Sequence, residues 1–244
     1  MKCKLCGNDS TLIKAHVIPA GFYRRIRQGK EPLEIITNSA GEYTKKSQIG
    51  EYDRTIVCGK CEAIWQEWDN YAQQLLVEEP FNWKVQFRNK QKICYIVENY
   101  EYDTLKLFFI SLAWRASVSS RSFFRRIHLG EFEDIAKQHI INNEPGDSEE
   151  FSVVVSKFDH PLAKGTFDPY MYQNSGVDYI RFYLAGYIAD IKIDQKPTPY
   201  QLSPITMASD KPLYVICRDF LKSKELNLAK KLIEGKQQIK PLHG

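Results

Sequence analysis

Read as a pattern of apolar and polar positions, the chain begins with short, punctuated pieces and continues with longer ones. TLIKAHVIP (11–19) predicts a short strand closed by Pro19, and GFYRRIRQG after it predicts a helical turn or loop. EIITNS and EYTKKSQ flank Ala40-Gly41 and predict a hairpin, because β-branched and apolar residues surround a turn containing glycine. Over 62–79, Ile64, Trp68, Tyr71, Leu75 and Leu76 recur at helical spacing, and Glu78-Glu79-Pro80 punctuates the end. Further on, 104–119 predicts a largely buried helix with Leu105, Phe108, Leu112 and Ala116 on one side. A second helix is expected over 132–141, ended by NNEPG. SVVVSKF, DYIRFYLAG and YIADIKI predict strands, the last two an antiparallel pair turning near Gly186. LKSKELNLAKKLIEG predicts an amphipathic C-terminal helix stopped by Gly235. No internal repeat stands out, and a domain boundary is expected near residues 80–100.

Composition narrows the class without naming it. With 244 residues, 43% apolar and 26% charged, the chain suits one large or two small globular domains, not a disordered or collagen-like chain. No run approaches the roughly 18–20 apolar residues of a membrane helix, so no membrane partner is expected. The opening MKCKLCGNDS lacks an apolar core, so no secretory signal and a cytoplasmic location are expected. Thirty-four basic against 30 acidic residues give +4, too mild to establish a nucleic-acid partner. Basic residues do cluster, at Arg24, Arg25 and Arg27 and at Lys45 and Lys46, and again over 84–126. Either cluster could track a phosphate backbone or be a solvated face. Trp65, Trp68, Tyr71, Phe81 and Trp83 favour core packing over base stacking, because helical spacing is what a core also demands.

The six cysteines say more. Without an export signal they do not read as a disulfide framework, and Cys94 and Cys217 stand singly in apolar stretches as buried core residues. Cys3/Cys6 and Cys58/Cys61 form two C-x-x-C pairs, four soft ligands suited to one tetrahedral zinc with no open position, hence a structural one. The 51 residues between the pairs exceed the usual spacing of a compact ribbon, so an insertion separates the knuckles.

Inside that insertion stands AHVIP. Taken alone, His16 is best explained as a half-buried histidine bonded to a carbonyl. It is accompanied by DRTIVCGKCE, with Asp53 five residues before Cys58 and Glu62 directly behind Cys61. The set resembles the HNH branch of the His-Me-finger (ββα-metal) endonucleases, whose pattern runs C-x-x-C, D-H-I-x-P, then N-L-x-x-L-C-x-x-C-N/H. SLAWRAS further resembles an S-x-x-W-R segment of bacterial HNH-like proteins. The resemblance implies an α+β chain: a ββα-metal zinc-knuckle nuclease unit over 1–80, then a mixed helical and antiparallel-sheet domain over 81–244 for targeting, partner binding or dimerisation. It implies His16 as general base, Asp53 orienting it, and Glu62 holding a catalytic Mg²⁺ or Mn²⁺, with Asp69 as a further ligand two turns along the helix. Nucleic acid, DNA in the first instance, would be the substrate, in a restriction or anti-phage role. Arg24, Arg25, Arg27, Lys45 and Lys46 are the expected nucleic-acid contacts. One departure matters: Ala15 stands where the family has a metal-binding aspartate. A catalytically inactive zinc-knuckle module that binds nucleic acid or protein is therefore the alternative. Arg115, in an apolar helix, is expected either to pair with a carboxylate or to aim into the site.

Overall fold

The structure is a computed structural model that describes residues 1–26, 33–35, 45–47, 50–78, 83–160, 163, 167–227 and 230. Along the chain come β1 (Ala15–His16), α1 (Ala20–Ile26), β2 (Leu33–Ile35), β3 (Lys45–Ser47) and β4 (Tyr52–Asp53). β1 pairs antiparallel with β4, and β2 with β3. The expected hairpin thus has a described part of each strand, paired antiparallel; its turn at Ala40-Gly41 lies outside the described residues.

The expected 62–79 helix begins earlier and is broken into four pieces. These are α2 (Gly59–Glu62), a 3₁₀ turn (Ala63–Trp65), α3 (Gln66–Gln73) and a π turn (Gln74–Glu78). The π turn falls where Leu75, Leu76 and Val77 are all buried.

β5 (Lys84–Arg88) and β6 (Gln91–Val97) form a hairpin, followed by α4 (Tyr102–Val118), α5 (Phe132–Asn142), β7 (Val153–Phe158), β8 (Tyr170–Asn174), β9 (Val177–Leu184), β10 (Tyr187–Lys192) and β11 (Leu213–Arg218). Helix α5 ends with Asn143 in the left-handed region at φ 56°, where asparagine commonly caps. Seven strands form one sheet in the order β5-β6-β11-β7-β10-β9-β8. Only β11 and β7 run parallel, so the architecture is α+β with a mostly antiparallel sheet. The β9–β10 pair turns through Ala185 and Gly186, both at positive φ, as the sequence suggested. Of the expected C-terminal helix over 221–235, residues 221–227 and 230 are described, with 221–223 in a turn and 224–227 and 230 helical.

Helix α4 organises the rest. Thirteen of its 17 residues are buried, on every side rather than on one stripe. A helix apolar all round must be covered all round. Phe108 stacks on Phe22 with ring centroids 5.8 Å apart, and Trp114 meets Trp65 at 6.2 Å. The same cluster takes in Val155, Ile180, Phe182 and Val215 of the sheet. Residues before and after position 80 therefore share one continuous core. Among the described residues, no helix is long and apolar enough to cross a membrane.

Candidate active site

The first knuckle closes because Gly7, at φ +75°, turns the chain so that its N–H donates to the Cys3 carbonyl at 2.8 Å. Lys4 N–H donates to the Ile56 carbonyl at 2.8 Å and docks this turn on the segment leading from β4 into the second knuckle. There Cys58 caps α2 and Cys61 sits in its first turn. The sulfurs of Cys3, Cys6, Cys58 and Cys61 all lie within 4.8 Å of one another. Tetrahedral zinc with Zn–S near 2.3 Å sets its sulfurs about 3.8 Å apart, so the cluster could bind a metal ion and is compatible with structural zinc. Burial disfavours a Cys3 thiolate, yet backbone N–H groups of Cys6, Cys58 and Leu5 outweigh it and bring the thiol to about 7. Burial and the neighbouring sulfurs push the Cys61 thiol up instead. Four thiolates this close need a cation among them.

Beside this cluster, β1 carries His16, whose Nε2 is closed off from solvent. Glu62, half-buried, ends α2. One side chain ties the two elements together. Arg115 of α4 is fully buried and uses all five of its N–H donors. Nη1 donates to the His16 carbonyl at 3.1 Å and to Asp69 Oδ2 at 2.9 Å; Nη2 donates to Asp69 Oδ1 at 2.7 Å. The remaining two N–H groups go to the Ser111 carbonyl and hydroxyl, each at 3.2 Å. Its guanidinium also lies over Trp65, 5.1 Å from the ring centroid. Ser111, Trp114 and Arg115 of the SLAWRAS segment thus all serve one junction.

The same geometry gives Asp69 a partner. Both of its oxygens accept from the Arg115 fork, which makes it the counter-ion of a buried cation. Burial raises the Asp69 carboxyl, and the two charge-assisted bonds from Arg115 oppose that rise. Burial also raises the Glu62 carboxyl; the Arg115 charge opposes the rise and the Asp69 charge adds to it. Glu62, Asp69 and Arg115 therefore feel one another as a group.

The Asp53 side chain does not face His16. Ala15 faces Asp53 across the strand pair and His16 faces Tyr52, and successive residues point to opposite faces. The Asp53 carboxylate is thus on the far side of the ribbon from the imidazole. Oδ1 accepts from Thr55 N–H and Oγ1 at 2.8 and 2.7 Å. Oδ2 accepts from Ser119 Oγ, Ser120 N–H and Ser120 Oγ at 2.9, 2.7 and 2.9 Å. Burial opposes ionisation, but these donors win and hold the carboxyl at about 2. Asp53 is a latch between β4 and the end of α4.

Among the described residues, the four cysteines are the group of three or more possible ligands that the fold gathers; His16, Glu62 and Asp69 do not form a second. Arg24 is exposed, 3.5 Å from Gln73 Oε1. The side chains of Arg25, Arg27, Lys45 and Lys46 lie outside the described residues. Three residues near the histidine went unread in the sequence: Lys14, Tyr52 and Arg54, gathered on one face of the ribbon. Their signal was the alternation around Ala15 and Asp53, too short to notice in two-residue strands. Compared with known proteins, the chain matches no family model, no curated protein and no solved structure.

Proposed function

We propose that this protein is a metal-dependent endonuclease of the HNH type, hydrolysing phosphodiester bonds in nucleic acid, with zinc in the four-cysteine cluster. The observation that carries the reading is Arg115: one buried guanidinium joins the His16 backbone to Asp69, within electrostatic reach of Glu62. A hairpin histidine and the acidic first turn of the following helix are thereby held as one unit.

In this reading His16 takes the proton of the attacking water; an ordinary imidazole, with a pKa of about 6.5, is suited to that at neutral pH. Arg115 fixes the strand end from which the ring projects. Glu62 is the side chain that would hold a divalent cation. Its oxygens accept no hydrogen bond among the described residues. Mg²⁺ and Mn²⁺ keep several waters and bind through one or two carboxylates plus phosphate oxygens, so one firm ligand suffices once the substrate phosphate arrives. Such a cation supplies charge neutralisation at the phosphate and at the leaving 3′ oxygen. DNA is the substrate to test first.

Specific observations favour a second reading, a zinc-knuckle module that binds nucleic acid or protein without cutting. Ala15 is buried and offers no ligand, Asp69 is engaged by Arg115, and His16 Nε2 is closed off. Incubation of the zinc-loaded protein with supercoiled plasmid and Mg²⁺ or Mn²⁺ separates the two. The nuclease reading expects nicked and linear products, more with Mn²⁺ than Mg²⁺. It expects none in Glu62→Ala, and none in brief excess EDTA that leaves the zinc in place. Cleavage that survives Glu62→Ala refutes the role given to that residue. A folded, zinc-loaded protein that cuts neither DNA nor RNA leaves the binding module.

A further inference from the structure

Several described basic residues are paired with acids: Lys84 with Glu98, Lys92 with Asp159, Arg115 with Asp69, Arg121 with Glu51 and Lys192 with Glu149. Lys14 and Arg54 are among those that are not. Both are exposed, and among the described residues neither has a carboxylate within ion-pair distance. They are instead held on the same ring. Lys14 Nζ lies 3.9 Å from the centroid of Tyr52, and the Arg54 guanidinium carbon 6.0 Å from it. Tyr52 stands directly opposite His16 in the β1–β4 register, with the two rings edge-on at 6.3 Å.

We infer that Lys14 and Arg54, positioned by Tyr52, form a grip for the phosphodiester backbone of a nucleic-acid strand beside His16. The inference deepens the nuclease reading and rests on it only for which phosphate is cut. Two like charges on one ring repel each other, and the negative face of the ring offsets part of that cost. An anion set between them removes the rest. Because cations occupy the ring, Tyr52 is a holder of charges and not a platform on which a base stacks. The grip therefore reads backbone and not sequence, which is how phosphate contacts behave generally. Position adds the reason to place it here: phosphates on either side of the cut bond must be fixed if one is to stay against the imidazole.

The test is binding of a fluorescein-labelled duplex and of a single strand by fluorescence anisotropy, without added Mg²⁺ or Mn²⁺ and across about 50 to 200 mM salt. Lys14→Ala and Arg54→Ala should each weaken binding several-fold at the low-salt end. Each should also flatten the slope of log affinity against log salt by nearly one unit, equally for unrelated sequences. Tyr52→Leu should weaken binding like loss of a cation, while Tyr52→Phe, which keeps the ring, should bind as the unmodified protein does. Lys84→Ala, already paired, should change neither affinity nor slope. Unchanged affinity and slope in both Lys14→Ala and Arg54→Ala overturn the grip and leave two solvated surface cations. So does a loss confined to one base sequence. The nuclease reading fails separately: binding that responds as expected, with no cleavage under any divalent metal, keeps the grip and removes the enzyme. His16-dependent cleavage with both cation variants binding and cutting normally does the reverse.

Discussion

The knuckle region and the seven-stranded sheet hold their shapes in different ways. Around the knuckles, β1 and β4 are two residues each and the following helix is broken into four pieces. Regular structure supplies little there. Position comes from four sulfurs, from the five hydrogen bonds donated by Arg115 and from the five accepted by Asp53. The sheet has strands of five to eight residues, and β10 is buried throughout. Its stability comes from apolar area and ladder hydrogen bonds. A region held by a few directional bonds can place individual polar groups to within an ångström, and it is correspondingly vulnerable to their loss.

The sharpest way to separate the two regions is to remove the sulfur cluster. Cys58→Ser should abolish metal binding and strip hydrogen-exchange protection from 52–65. Protection in β9 and β10 should persist, because their ladder does not depend on the knuckle. Structural zinc in small modules is worth on the order of 10 kcal/mol, so the local effect should be large. Elemental analysis showing no zinc in the purified protein, or equal loss of protection in both regions, breaks the comparison.

Next comes the joint between the regions. Arg115→Met leaves Asp69 as a half-enclosed charge without its partner and should cost about 3–5 kcal/mol in urea unfolding. Adding Asp69→Leu should recover much of that, since replacing both members of a buried pair with apolar groups is often near neutral. No recovery in the double variant would mean that the bond to the His16 carbonyl, and not the ion pair, is the important contact.

A smaller effect should follow pH. The Asp53 carboxyl is held at about 2, below its unfolded value of 3.8. A depressed folded pKa contributes stability that is present above the unfolded pKa and is lost as pH falls through the folded one. The latch should therefore weaken between about pH 4 and 2, by roughly 2 kcal/mol in all. In Asp53→Asn that part of the acid dependence should vanish in chemical-denaturation curves. The smallest change belongs to the exposed Lys84–Glu98 pair on the sheet edge, whose removal should alter stability by no more than ~0.5 kcal/mol.

How much could be read in advance follows the same division. Helices α4 and α5 and the β9–β10 pair were legible because apolar periodicity and a turn at Gly186 announce them. The cysteine cluster was legible because C-x-x-C spacing survives any intervening loop. The β5–β6 hairpin was not: β5 is exposed on both faces, so no alternation marks it, and its turn uses Asn89 and Lys90 at positive φ with no glycine. In the site, Asp53 and Asp69 were chosen for their residue type at a given offset. Thr55 is two positions from Asp53, but the other partners, Ser119, Ser120 and Arg115, lie 46 to 67 positions away and no local pattern reports them. Offsets along a chain locate a carboxylate; they do not say what it bonds to.

The central claim is that His16 accepts a proton in phosphodiester cleavage. His16→Gly removes the imidazole and leaves space for a free one. The variant, with its zinc retained, should lose plasmid cleavage under Mn²⁺, and added imidazole should restore it in proportion to the unprotonated form. Restoration is the decisive result, because a histidine lost for structural reasons cannot be replaced by a diffusing base. Cleavage by His16→Gly at the original rate without imidazole would contradict the account.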